Sequence, residues 1–144
     1  MEAIQIRPAA IDDFQYVYDF VNLLEKQEFD REKQWEIYLE NACNPNHIYL
    51  IAWAHSLAVG YLSCHVQNLL HHGGLVGEIQ EMYVNENGRS HGIGKKLIDN
   101  VKEIAKARGV LQLEVTSGFN REGAHRFYER EGFVHTHKKF TYLL

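Results

Sequence analysis

The stretch Arg89-Ser90-His91-Gly92-Ile93-Gly94, an Arg-x-x-Gly-x-Gly turn, constrains this chain more than any other feature. It follows a strand-like run, Gly77 to Val84, and opens a strongly periodic helix, Gly92 to Arg108. A glycine-rich turn between strand and helix leaves backbone N–H groups without partners at the helix start. Those groups, with the positive end of the helix dipole, attract phosphate. The expectation is a chain that grips a phosphorylated small molecule at this turn.

The rest of the composition narrows the classes open to such a chain. Its 144 residues suit one domain, 1–144, with a real core. A formal net charge of −4 gives no general basic surface for nucleic acid. No apolar run approaches the roughly 20 residues of a membrane span. Met1-Glu2-Ala3-Ile4 lacks the basic-then-apolar pattern of a secretory signal, so a cytoplasmic location is expected. Cys43 and Cys64 show no motif spacing and read as free, buried thiols in a reducing compartment.

Ile4 and Ile6 alternate with polar residues before Pro8 and predict a short strand. Asp12 and Asp13 can cap a helix with Phe14, Val17, Tyr18, Val21 and Leu24 on one face. Asp30 can cap a second helix, with Trp35, Tyr38, Leu39 and Ala42 inward, which Asn44-Pro45-Asn46 breaks. Ile48 to Ala54 and Val59 to Val66 read as paired strands, and Leu75 to Val84 as a third. In the helix after the glycine turn, Ile93, Leu97, Val101, Ile104 and Ala105 face the core. Gly109 stops it, and Leu111, Leu113 and Val115 alternate as a further strand. A short helix over about Asn120 to Glu131 ends at Gly132, and Phe133 to Leu144 reads as edge-strand material. The fold class is therefore α/β (α+β): a mixed twisted sheet, early strands antiparallel and one parallel unit at the glycine turn, with helices on both faces.

The turn is not a Walker loop, since no Gly-Lys-Ser/Thr follows, nor a dinucleotide fingerprint, which belongs at the first strand of a β-α-β series. Three blocks in order carry a resemblance over almost the whole chain. They are Glu78-Ile79-Gln80-Glu81-Met82-Tyr83-Val84, then Arg89 to Gly94, then Asn120 with Ala124-His125-Arg126-Phe127-Tyr128-Glu129-Arg130-Glu131-Gly132-Phe133. Together they resemble the GNAT (Gcn5-related) N-acetyltransferase superfamily. A narrower likeness, in His71-His72, Gly77 to Glu81, Ala124 to Gly132, Phe29-Asp30 and Phe140-Thr141, is to bacterial aminoalkylphosphonate N-acetyltransferases. Ser90-His91-Gly92 departs from that subgroup's loop.

The resemblance implies acetyl transfer from acetyl-CoA to the primary amine of a small molecule, an aminoalkylphosphonate favoured. It implies that Met82, Tyr83 and Val84 offer backbone groups to the pantetheine arm. Arg89, Ser90, His91, Gly92, Ile93, Gly94 and Lys95 would wrap the pyrophosphate. Glu78 is the first choice of general base, and Glu81 the second. Strict alternation puts Glu78 and Gln80 on one face and Glu81 on the other, unless a bulge near Met82 intervenes. Tyr128 is the candidate acid toward the departing thiolate, and Asn120 either caps its helix or bonds the cofactor arm.

A phosphonate dianion needs cations or N–H donors. Arg126, Arg130, Lys138 and Lys139, with His135 and His137, are candidates, while Glu25 and Glu28 could attract an ammonium. His71 and His72, if on a strand, point to opposite faces and lack zinc-type spacing, although the resemblance to a subgroup helped by divalent metal keeps a metal near Glu78 as a minority alternative. Other acceptors (a polyamine, an aminoglycoside, a peptide N-terminus) and a non-catalytic acyl-CoA-binding module remain alternatives. Phe140 and Tyr142, as exposed aromatic edge material, point weakly to a homodimer.

Overall fold

A computed structural model describes residues 3–144 of the chain. Five strands form one sheet in the order β1 to β5: β1 Ile4–Pro8, β2 His47–Ala54, β3 Leu57–Leu69, β4 Gly74–Val84 and β5 Gln112–Val115. The first three junctions are antiparallel, and β4 to β5 is parallel. Helices α1 Phe14–Glu25 and α2 Arg31–Ala42 precede β2; α3 Ile93–Ala107 joins β4 to β5; α4 Glu122–Arg130 follows β5. The mixed sheet and the parallel unit at the glycine turn are those the periodicity predicts.

Each face of the sheet has its own core. On one, Ile93, Leu97, Ile98 and Val101 of α3 bury an aliphatic stripe against Leu50, Leu62, Ile79 and Val84. Each such side chain contributes about 1.5–3 kcal/mol on leaving water. On the other, Phe14, Val17, Tyr18 and Phe20 of α1 and Tyr38 of α2 cover Ile51, Trp53 and Tyr61. Many of these contacts are between rings, as in the Phe14 and Trp35 centroids 5.2 Å apart. Gly60 lets α3 approach: a Cβ there would lie 3.1 Å from Ile93 Cγ2.

Several local expectations are corrected. Asp12 and Asp13 form a 3-10 turn with Ile11, and the Asp13 carboxylate accepts from Ala10 N instead of capping α1. Asp30 does cap α2, accepting from Lys33 N at 3.2 Å. Leu39 is 37% exposed because only Tyr38 of α2 reaches the sheet fully. His71 and His72 lie in a 3-10 turn after β3, so strand alternation does not apply to them. Cys64 is buried as expected, whereas Cys43 is exposed; both are free. Burial pushes the Cys64 thiol up to about 12, so it stays protonated. Phe133 to Leu144 forms no strand, since no strand among the described residues lies alongside to pair its backbone. No helix among the described residues is long and apolar enough to cross a membrane.

Candidate active site

Two strands that part define the site. β4 and β5 pair only from Val76 with Gln112 to Ile79 with Val115. β4 runs on to Val84 without its parallel neighbour. The β5-facing N–H and C=O groups of Gln80 to Val84 therefore line an open slot, with Met82, Tyr83 and Val84 on it. On its β5 side, two residues beyond Val115, the Ser117 hydroxyl is buried with no hydrogen-bond partner. An orphaned buried hydroxyl beside free strand edges is what an extended, amide-bearing ligand would satisfy.

The glycine turn sits at the end of this slot. Glu86–His91 form a 3-10 helix, and Gly92 at φ 74° carries the chain into α3. That left-handed value favours glycine, and nothing lies within 4 Å of where a Gly92 Cβ would be. The α3 hydrogen-bond ladder starts with Lys96 N to Gly92 O, so the N–H groups of Ile93, Gly94 and Lys95 lie ahead of it. A Cβ on Gly94 would come 3.2 Å from the Phe127 ring, which is how α4 packs over the first turn of α3. This open turn fits a pyrophosphate.

The long side chains of the turn do other work. Arg89 Nε donates to Val84 O at 2.9 Å, and its guanidinium lies 5.3 Å from the Tyr83 ring centroid, tying the turn to the strand. Lys95 pairs with Asp99 at 3.1 Å and Glu131 at 3.5 Å. His91 is exposed; Ser90 lies in the same turn, its side chain outside the described part. Asn120 does not cap α4: Arg121 holds that position, with no side-chain cap bond, because the helix starts one residue later than expected.

The carboxylates are rearranged by a bulge. Ser63 pairs with Glu81 and the next residue, Cys64, with Ile79, so Gln80 is the extra residue of β4. The alternation skips once, and Glu78, Glu81 and Tyr83 share the α1/α2 face, where strict alternation had separated Glu78 from Glu81. Glu81 lies beyond the last β4–β5 pair, at the slot. Its Oε1 accepts from Tyr61 Oη at 2.9 Å and from Ser63 Oγ, while its backbone N–H donates to Ser63 Oγ at 3.1 Å. Tyr61 and Ser63 are buried, and burial raises the Tyr61 hydroxyl well above its usual range. Phe20 of α1 stacks on Tyr61 and leans on Tyr83, closing an aromatic wall beside Glu81.

Glu78 sits one row further from the slot, opposite His65 on β3 and Glu114 on β5. Its Oε1 accepts from Gln80 Nε2 at 3.1 Å. His65 stacks on His47 with centroids 3.7 Å apart, and its Nε2 lies 3.3 Å from Tyr49 Oη. Burial, then the His47 charge, lowers the His65 pKa. His72 Nε2 reaches Glu114 Oε2 at 3.7 Å. Despite these polar groups, no set of three or more His, Cys, Asp or Glu among the described residues is arranged to hold a metal.

Tyr128 lies on α4, packed with Phe127 and Phe133 on the α3 side of the sheet. Its hydroxyl makes no hydrogen bond to the described residues. Burial raises its pKa, and the Arg121 charge pulls the other way. Arg121 itself bridges to α1, with Nη2 3.4 Å from Leu24 O and 3.8 Å from Glu25 Oε1. Sequence reasoning missed Arg121, Ser63, Tyr61 and Ser117; only the hydroxyl-rich pattern opposite Glu81 could have hinted at the middle pair. Arg126 and Arg130 are exposed on α4, and His135, His137, Lys138 and Lys139 lie on the exposed tail. Glu28 is exposed in the turn after α1.

An open slot between parting strands, ending at a phosphate turn, with carboxylates on one face and a tyrosine on the other, suits transfer from an extended phosphorylated donor to a small amine. The model of the acetyltransferase (GNAT) family matches residues 14–133. The chain belongs to the GNAT acetyltransferase family. It is an N-acetyltransferase, and the family's acetyl donor is acetyl-CoA. The aminoalkylphosphonate N-acetyltransferase of Salmonella typhimurium is 35% identical over 144 residues, covering 100% of this chain and 94% of that protein. Among solved structures, a transcriptional regulator from Bacillus halodurans superposes with TM-score 0.89 at 23% identity, covering 99% and 100% of the two chains. The aminoglycoside N-acetyltransferase AAC(6')-Iy in complex with CoA also gives 0.89, at 16% identity, over 100% and 96%. These two likenesses show the fold.

Proposed function

We propose that the chain, acting as one domain in the cytoplasm, acetylates the primary amine of an aminoalkylphosphonate. The observation that carries this reading is the parting of β4 from β5, with Glu81 at the open edge on one face of the sheet and Tyr128 packed on the other. The full-length likeness to the Salmonella enzyme supports the acceptor.

Acetyl-CoA, as substrate, supplies the thioester. Backbone groups of Met82, Tyr83 and Val84 and the Ser117 hydroxyl hold its arm. N–H groups from Arg89 through Lys95 receive the pyrophosphate, and Asn120 stands beside the arm at the loop before α4. Glu81, with Oε1 occupied by two hydroxyls, turns Oε2 to the acceptor nitrogen and orients it. Glu78, whose Oε1 accepts only from the Gln80 side chain, takes the amine proton through water. The nitrogen then attacks the thioester carbon: the C–N bond forms, the C–S bond breaks, sulfur leaves with its electron pair, and the second proton that nitrogen loses on becoming an amide returns through solvent to the Tyr128 oxygen. Burial keeps the Tyr128 hydroxyl protonated, so it donates to that sulfur. Arg121, at the rim between α1 and α4, is the cation offered to the phosphonate, exchanging its exposed contact with Glu25 for the dianion.

Thiol release from acetyl-CoA across a panel of amines tests the reading. 2-Aminoethylphosphonate should exceed ethanolamine, its analogue without the phosphonate, by roughly 10²-fold or more in kcat/KM. Turnover confined to polyamines, aminoglycosides or peptides would remove the phosphonate. No turnover on any amine would favour an acyl-CoA-binding module.

A further inference from the structure

The aromatic wall beside Glu81 contains one aliphatic hydroxyl. Tyr61 and Ser63 follow one another on the α1/α2 face of β3, with Tyr83 of β4 opposite Tyr61 and Tyr49 of β2 opposite Ser63. Ser63 is 0% exposed and Tyr61 1%. A hydroxyl so placed is destabilising unless it is hydrogen-bonded, and an apolar side chain would pack among these rings without that penalty. Ser63 Oγ meets Glu81 twice: it donates to Oε1 and accepts from the Glu81 backbone N–H at 3.1 Å. Tyr61 Oη donates to the same Oε1 at 2.9 Å. These bonds cross from β3 to β4 at the bulge, where Ser63 stands opposite Glu81.

We infer that Ser63, seconded by Tyr61, is a positioning residue for the acceptor: it locks the Glu81 carboxylate in one rotamer and leaves Oε2 to face the amine. The inference rests on the proposed role of Glu81 in orienting the acceptor nitrogen. A free glutamate side chain samples several rotamers, and that freedom is lost when it binds an ammonium. Two donors on Oε1 remove the freedom before the amine arrives, which is preorganisation of the binding group. Both hydroxyls are buried, so they act through Glu81 and not on the acceptor itself. Ser63 has the greater hold of the two, because it grips the side chain and the backbone of the same residue. The groups assigned to acetyl-CoA lie beyond Glu81, on the backbone of Met82 to Val84 and in the turn, so the effect of Ser63 falls on the amine.

Steady-state kinetics with acetyl-CoA and 2-aminoethylphosphonate tests this, with spermidine as the amine should the phosphonate not be turned over. Ser63→Ala should raise the KM for the amine by roughly tenfold and spare that for acetyl-CoA. It should still bind CoA, which reports that the body is folded. Tyr61→Phe keeps the ring, removes one donor, and should raise the amine KM by about threefold. Ser63→Thr keeps the hydroxyl and should return the amine KM to within about twofold of the parent. In a Glu81→Ala background, Ser63→Ala should add nothing, because the carboxylate it positions is gone. A Ser63→Ala protein that melts at lower temperature with both KM values unchanged would overturn the proposal, since its role is then structural alone. So would a full Ser63→Ala effect in the Glu81→Ala background. An amine KM unmoved by Glu81→Ala would remove the acceptor role of Glu81 and the positioning role with it. An amine KM moved by Glu81→Ala but not by Ser63→Ala would overturn the positioning role and leave the acceptor role standing.

Discussion

The two faces of the sheet are built from different materials. The α3 face is aliphatic, with Ile93, Leu97, Ile98 and Val101 at zero exposure, and apart from the Tyr128 hydroxyl the polar groups it offers are backbone: a parted strand and a helix start. The α1/α2 face is aromatic and carries its chemistry on side chains: Glu78, Glu81, Tyr61, Ser63 and His65. In the proposed reading, backbone groups hold the donor's phosphates and amides. Side chains on the other face are free to vary with the acceptor. In the proposed reading the donor half rests on backbone groups and the acceptor half on side chains.

Substitutions separate the halves. Glu78→Gln should have the largest effect, lowering kcat by roughly 10²–10³ with acetyl-CoA KM unchanged. Its activity should rise toward higher pH, where the amine loses its proton unaided. An unchanged pH profile would remove Glu78 as the proton acceptor. Tyr128→Phe, on the opposite face, should lower kcat by about tenfold for every amine alike, since it serves the common leaving group. A loss confined to one acceptor would move Tyr128 to the acceptor half.

The smallest effect is on stability. His65 has its pKa lowered below the ordinary 6.5 by burial and by His47. As pH falls below that value, the unfolded chain takes up a proton that the folded chain resists. Stability contributed by neutral His65 is thus present above about 6.5 and lost as pH falls toward the folded value. Denaturant titrations from pH 7.5 down to 5 should show that decline, and His65→Gln should flatten it. An equal slope in both proteins would show that His65 is not the group responsible.

The donor half was the legible half. The periodicity of α3 and the glycine turn are local patterns, and local patterns survive in sequence. The face of Glu81 was not legible, because the bulge at Gln80 is decided by how β4 aligns with Ser63 and Cys64 on another strand. Arg121 escaped notice for the same reason, as its partners Leu24 and Glu25 lie almost a hundred residues away. The tail read as a strand because strand propensity is local, while the partner a strand requires is not.

The division of labour between faces is tested most directly by varying both substrates for two single variants, Glu81→Gln and Gly92→Ala. Gly92 holds φ 74°, where alanine is strained by about 1–2 kcal/mol. Gly92→Ala should therefore raise the KM for acetyl-CoA by roughly tenfold and leave that for the amine unchanged. Glu81→Gln should do the reverse, weakening the amine and sparing acetyl-CoA. If either variant shifts both constants equally, the two faces do not act as separate donor and acceptor halves.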